Sequence, residues 1–183
     1  MLIYTEITPN PQSLKFSLPP DAPAVVRGSY TFERASTTEP WPAGVTALLA
    51  IPGVESIFLT RAFITVTKHP ETSWHELIPA VKEVLKTYLS QGPLVEVSDT
   101  PAASEAATGS LEAQVIEAIE TYIRPAIAMD GGDVEYVGYE DGVVRLRLMG
   151  SCVGCPSSTM TLKAGIENLL RRLIPDIKAV EAE

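Results

Sequence analysis

Two cysteines occur in the 183-residue chain, and they stand three positions apart as Cys152-Val153-Gly154-Cys155. A thiolate is both a soft metal ligand and a nucleophile. A disulfide closing so short a loop staples almost nothing, which leaves metal binding or redox chemistry as reasons to have the pair. An unperturbed cysteine, with a pKa of about 8.5, is mostly protonated at neutral pH, and a helix N-terminus beside it favours the anion through unpaired amides and the dipole. Pro156 follows at once, and Leu162, Ile166, Leu169 and Leu173 repeat at helical steps, so the pair is expected at a helix entrance. Gly150 and Gly154 keep the backbone small enough for an inorganic cluster or another protein to approach.

Four readings compete for this motif. Two cysteines packed in a core by chance are a poor match to thiols flanked by glycines and followed by proline. A dithiol oxidoreductase uses the same spacing at a helix start. Zinc or an iron–sulfur cluster normally takes four protein ligands, of which one chain supplies two sulfurs. His69 and His75 are the chain's two histidines, one in an expected surface turn and the other inside a Ser73-x-x-Glu76 capping box, and neither is a good ligand. Two copies related by a two-fold axis, each giving Cys152 and Cys155, complete a four-sulfur cage. Spacing alone leaves zinc and iron–sulfur nearly even. Structural zinc sites are closed, whereas thiolates on an exposed two-chain seam suit a cargo that is to be released.

Other chemistry is weakly represented. Asp130 and Asp133 bracket Gly131-Gly132, a sequence better suited to a helix-ending turn than to paired acid–base carboxylates. No Ser-His-Asp set, phosphate-cradling glycine loop or helical metal-binding pair is present.

The elements that must position the thiols follow from periodicity. The stretch 99–110 has no aromatic or large aliphatic side chain and is expected to be a flexible linker, giving domains at 1–95 and 111–183 around a linker at 96–110. In the first domain we expect strands at 2–7 and 14–18, a short helix at 43–50, a hairpin of 54–59 with 63–68, and a helix at 74–90. Pro79 should bend that last helix or give it a 3₁₀ start. In the second, Ser110 is the expected N-cap of a helix carrying Leu111, Val115, Ile119 and Tyr122 on one face, ended or kinked at Arg124 by Pro125. A hairpin of 134–139 with 143–149 follows, then the helix after the cysteines and a third strand at 177–180. The fold class is therefore α+β: two small domains, each a small sheet packed by helices, the second in the order α-β-β-α-β.

Composition bounds the partners. Lys and Arg number 14 against 23 Asp and Glu, a net charge of −9, and no basic cluster is present to neutralise a row of phosphates, so nucleic acid is not expected as a partner. No run approaches the roughly 18 apolar residues of a membrane span, and no membrane partner is expected. The start lacks a signal-like or Arg-rich segment, so the cytoplasm is the expected location, or the mitochondrial matrix if a presequence has been removed.

The stretch from Gly150 to Glu167, with Asp130-Gly131-Gly132-Asp133 upstream, resembles the C-terminal domain of NifU-like proteins over 111–183. Thr8-Pro9-Asn10-Pro11-Gln12-Ser13-Leu14-Lys15-Phe16 and Phe63-Ile64-Thr65-Val66-Thr67-Lys68 resemble the Nfu N-terminal domain. Ala62 departs from the acidic residue common before the second motif, and Ser151 stands where a small residue, often Ala, is usual. The resemblance implies an Nfu-type iron–sulfur scaffold or carrier that is not an enzyme. Cys152 and Cys155 of a homodimer would bind a [4Fe-4S] cluster, received from upstream assembly machinery or assembled in place, and pass it to client apoproteins. It also implies that the N-terminal domain recognises or orients clients. Spacing alone leaves the dithiol oxidoreductase and the zinc-bridged interaction module as alternatives.

Overall fold

The computed structural model describes residues 1–35, 40–96, 110–153 and 156–182, with the side chains of 156–159 excluded. The expected linker therefore lies, over 97–109, outside the described residues. The chain divides into two compact units, Met1–Asp99 and Thr100–Glu183.

The first unit contains β1 (Tyr4–Ile7), β2 (Ser13–Ser17), β3 (Tyr30–Glu33), α1 (Ala43–Ala50), β4 (Val54–Leu59), β5 (Phe63–Lys68) and α2 (Trp74–Leu89). The strands form an antiparallel sheet in the order β1-β2-β5-β4-β3. Alternation places Leu14, Phe16, Ile64 and Val66 in a core with Ile57 and Leu59, closed by Val45 and Leu48 of α1 and Leu77, Val81 and Leu85 of α2. Ser73 caps α2 by accepting a hydrogen bond from the His75 amide at 3.3 Å. The segment is α-helical from Trp74 onward with Pro79 inside it, so the expected 3₁₀ start is absent. The sequence reading passed over β3, whose four residues alternate between half-buried and exposed at the sheet edge and bury too little to stand out.

One end of this sheet is tied by buried polar groups. The Thr8 hydroxyl is shared between the carbonyls of Asn10 and Ser13 at 2.9 and 3.0 Å, and Asn10 Oδ1 accepts from the Gln12 amide at 3.0 Å, an Asx turn. Lys68, 7% exposed, donates to Gln12 Oε1 at 3.0 Å and to the carbonyls of His69 and Pro70 at 3.2 and 3.3 Å. Its ammonium also lies 5.9 Å from the Trp74 ring centroid.

The second unit contains α3 (Leu111–Ala118), a π turn (Ile119–Ile123), α4 (Arg124–Met129), β6 (Gly132–Glu140), β7 (Val143–Gly150), α5 (Pro156–Leu173) and β8 (Ala179–Ala182). This is the α-β-β-α-β order with the first helix interrupted. Pro125 has no amide hydrogen to continue the ladder, and the wider turn before it, in which the Arg124 N–H bonds the Ile119 carbonyl, accommodates it. The extra residue in that turn rotates the register, so Ile123 is buried and Tyr122, expected on the core face, is 56% exposed. Among the described side chains of α5, Ile166 and Leu170 are buried, with Ile174 just beyond; Leu173, expected inward, is 44% exposed.

The hairpin turns at Asp141-Gly142, both with positive φ (51° and 90°), the type I′ geometry that matches strand twist. Val144, Leu146 and Leu148 are buried, while Arg145 and Arg147 pair with Glu140 and Glu135 on the wet face at 2.9 Å each. The third strand begins two residues later than expected and pairs with β7 in parallel, so β7-α5-β8 is a βαβ crossover. Among the described residues no helix is long and apolar enough to cross a membrane.

Candidate functional site

The cysteine-bearing turn is built from the open end of the β6–β7 hairpin. Gly131 leaves α4 with φ 79° and returns its N–H to the Ala128 carbonyl at 3.2 Å, a Schellman-type ending. Gly132 pairs with Gly150, which has φ 71° and swings the chain out of β7. The Ser151 amide then donates to the Gly131 carbonyl at 3.2 Å, and the Ser151 hydroxyl donates to the Asp130 carbonyl. The Val153 amide closes the turn onto the Gly150 carbonyl at 3.1 Å.

Cys152 follows Ser151 and is 6% exposed, within the apolar cluster formed by Ile127, Leu148 and Ile166 among others. This corrects the expectation of an open thiol, and the reason lies in Gly132. A Cβ on that residue would stand 2.5 Å from Cys152 Sγ, 2.8 Å from the Met149 carbonyl oxygen and 3.1 Å from Ile127 Cγ2. The sulfur occupies space that any other residue at 132 would need. Cys155, the other expected ligand, and Gly154 lie outside the described residues.

The Asp133 carboxylate beside the turn is structural. Asp133, 9% exposed, accepts from its neighbouring Val134 amide at 2.8 Å and lies 2.9 Å from Arg124 Nε as an ion pair without hydrogen-bond alignment. Arg124 also donates to the Val134 carbonyl at 2.9 Å and pairs with Glu120 at 2.6 Å. These contacts fix the glycine turn to the helix before it, as the sequence reading held in preferring a turn to an acid–base pair. His69 accepts from the Glu71 amide at 3.4 Å in a surface turn, and His75 sits in the first turn of α2. Among the described residues no group of three His, Cys, Asp or Glu side chains is placed to hold a metal ion.

Sequence reasoning missed the roles of Gly132 and Ser151. It assigned both glycines to the helix exit, although one left-handed residue suffices there and the second was free to serve a close approach. The partner of the Ser151 hydroxyl is 21 residues away in the chain, and no local pattern signals it.

Comparison with known proteins places both halves. A family model described as the NifU-like domain matches residues 115–181, and one described as scaffold protein Nfu/NifU N terminal matches residues 3–92. "NifU-like protein 5, mitochondrial" of Arabidopsis thaliana is 40% identical over 190 residues, covering 100% of this chain and 68% of its own length. The human "NFU1 iron-sulfur cluster scaffold homolog, mitochondrial" is 39% identical over 190 residues, covering 99% and 71%. The crystal structure of protein SAV1430 from Staphylococcus aureus aligns with 46% of this chain and 98% of its own at 29% identity and a TM-score of 0.39. With both models matched in order and relatives similar along the whole chain, this chain belongs to the Nfu-type family of NifU-like proteins, an Nfu N-terminal domain followed by a NifU-like domain.

Proposed function

We propose that the chain is an iron–sulfur cluster scaffold and carrier, not an enzyme, in which Cys152 and Cys155 of two copies jointly bind a [4Fe-4S] cluster and pass it to client apoproteins. The observation that carries this reading is that both of the chain's cysteines fall inside the segment matching the NifU-like domain, at the junction of β7 and α5. A relative named as an iron–sulfur cluster scaffold supports it along the full length. One protomer brings two thiolates against the four that such a cluster takes, so the second pair comes from another copy.

Transfer is ligand exchange. An acceptor cysteine thiolate forms a new iron–sulfur bond as the bond to Cys152 or Cys155 breaks; the departing thiolate takes up the proton the acceptor thiol has lost, and no electrons change hands. The first unit orients the client, and the segment between the units supplies reach. The cluster comes from upstream assembly machinery or is built in place. Of the two locations expected from the sequence, the mitochondrial one is supported by relatives whose names call them mitochondrial.

Anaerobic reconstitution with iron and sulfide tests the reading. The expected product is brown and holds about four iron atoms per two chains, as four-thiolate ligation requires. Cys152→Ser or Cys155→Ser should each abolish the colour; its retention in both variants contradicts the proposal.

A dithiol oxidoreductase is the second reading, and the β7-α5-β8 crossover favours it. What weighs against the enzyme is that relatives similar along the whole chain are named NifU-like and iron–sulfur cluster scaffold proteins. Insulin-disulfide turnover by the cluster-free protein that is lost in both cysteine variants would establish it.

A further inference from the structure

We infer that β1 is an interaction edge for a second copy of this chain: two β1 strands pair antiparallel about a two-fold axis at Thr5, joining the sheets of two first units. The pairing does not depend on the function proposed above. Only its role, as a further contact between copies that share a cluster, rests on that reading.

The strand order leaves β1 and β3 as edges, and among the described residues β1 is paired with β2 alone. Backbone alternation shows which groups of β1 remain. The Leu18 amide bonds the Ala62 carbonyl and the Lys68 amide bonds the Gln12 carbonyl, so the even-numbered residues of β2 bond toward β5. The odd-numbered ones, Lys15 and Ser17, therefore bond Glu6 and Tyr4 of β1, and the amides and carbonyls of Thr5 and Ile7 point out of the sheet. Natural edges are guarded by lysine, proline or a bulge. Tyr4–Ile7 carries none of these, and its one charge, Glu6, is turned to Lys15 at 3.1 Å and to the Ser17 hydroxyl. The other edge is guarded: β3 ends in Glu33, and Arg34 beyond it donates to the carbonyls of Leu49 and Ile51. The β1 edge is also apolar. Among the described residues of the first unit, the exposed large apolar side chains are Met1, Leu2, Tyr4, Ile7 and Val26, with Tyr4 64% and Ile7 90% exposed.

The segment that fits this edge is the edge itself. With Thr5 opposite Thr5 of a second copy, their outward groups bond each other, Tyr4 lies opposite Glu6, and exposed Ile7 lies opposite apolar Ile3. Sliding by two residues sets Glu6 against Glu6, a like-charge pair, or Ile7 against Met1 outside the strand. Four paired residues fall well short of the roughly 800 Å² per partner of a stable complex. The pairing is therefore weak between free copies and gains when a shared cluster holds them at high effective concentration.

Disulfide trapping tests this in the full chain carrying Cys152→Ser and Cys155→Ser, checked by circular dichroism to be folded. Thr5→Cys in that background puts two thiols directly opposite, with Cα atoms about 5.5 Å apart, a separation that a disulfide spans. Mild oxidation should give about tenfold more covalent dimer than Tyr4→Cys or Glu6→Cys alone, whose thiols would be offset by two residues, beyond the limit of about 7 Å. An equimolar mixture of the Tyr4→Cys and Glu6→Cys chains should restore the cross-link, since those positions face each other. Adding Thr5→Pro to both chains of the mixture, which removes an outward amide and no bond to β2, should abolish it. Equal dimer yields from the three single-cysteine chains, as random collision gives, overturn the pairing. So does an absence of dimer, which would leave the edge to a segment of another protein. If the Thr5→Pro chains do not fold, the yields of the single-cysteine chains decide alone. Failure of the iron–sulfur reading would show elsewhere, as a wild-type chain that takes up no cluster.

Discussion

Each unit has a junction where a glycine- or proline-rich loop is tied by buried polar groups, and the two are built from different groups. In the first, Thr8, Asn10, Gln12 and Lys68 saturate one another, with the Lys68 ammonium alone meeting three oxygens. In the second, the Asp130–Asp133 turn is equally well fixed, but the turn carrying Cys152 is joined to it across Ser151. In the first, the donors Thr8 and Lys68 are themselves buried, so each is committed to the acceptors it meets. In the second, the close approach of Cys152 Sγ to Gly132 leaves no room for a side chain at 132. The first junction sits in the unit without cysteines and the second in the unit that bears them.

The largest expected effect that sharpens this contrast is in the first unit. Lys68→Ala removes the buried donor to half-buried Gln12 Oε1 and to the carbonyls of His69 and Pro70, and should cost about 2.5 kcal/mol, within the range for hydrogen bonds to a charged group. Both tryptophans, Trp41 and Trp74, belong to this unit, so urea unfolding followed by tryptophan fluorescence reads it directly. Gly132→Ala should cost about 2 kcal/mol through overpacking. That loss should appear in circular dichroism while the tryptophan transition stays in place; a shift of the tryptophan midpoint instead would break the separation of the two junctions.

Gly44 gives the control for Gly132. A Cβ there would meet the tip of Leu94 at 2.3 Å, a flexible side chain, and Tyr88 at 3.3 Å, whereas Gly132 faces the Met149 backbone oxygen as well as sulfur. Gly44→Ala also gains about 1 kcal/mol of helix propensity, so it should be close to neutral in the same urea measurement.

The smallest effect is in the pH dependence of the second unit. Burial, and then the hydrogen bond to Glu112 at 3.1 Å, push the Tyr136 phenol up to about 12. A folded pKa above the unfolded value near 10 means that its contribution is complete below about 10 and is lost as pH rises toward about 12. Tyr136→Phe should flatten that alkaline loss, read as circular dichroism against pH; an unchanged alkaline limb would contradict the assignment.

Much of the fold was legible because period and punctuation agreed. Pro42 and Pro52 bracket α1, whose ends fell where the sequence put them, and Asp141-Gly142 is a local signal for the hairpin turn. Errors arose where a distant partner or backbone detail decided the outcome. The π turn before Pro125 moved the core face from Tyr122 to Ile123, a one-residue change that no helical template of fixed period anticipates. At the site, residue types announced the thiols but not the burial of Cys152, which Gly132 across the hairpin and Ile127 of α4 help to enclose.

The central claim is that one chain holds half a coordination sphere and the cargo is shared. Native mass spectrometry of the anaerobically reconstituted wild-type chain measures this directly. The account predicts that cluster mass appears on the dimer, one [4Fe-4S] per two chains, and that Cys152→Ser and Cys155→Ser remove it. A cluster retained on the monomer, or one that persists in both variants, would contradict it.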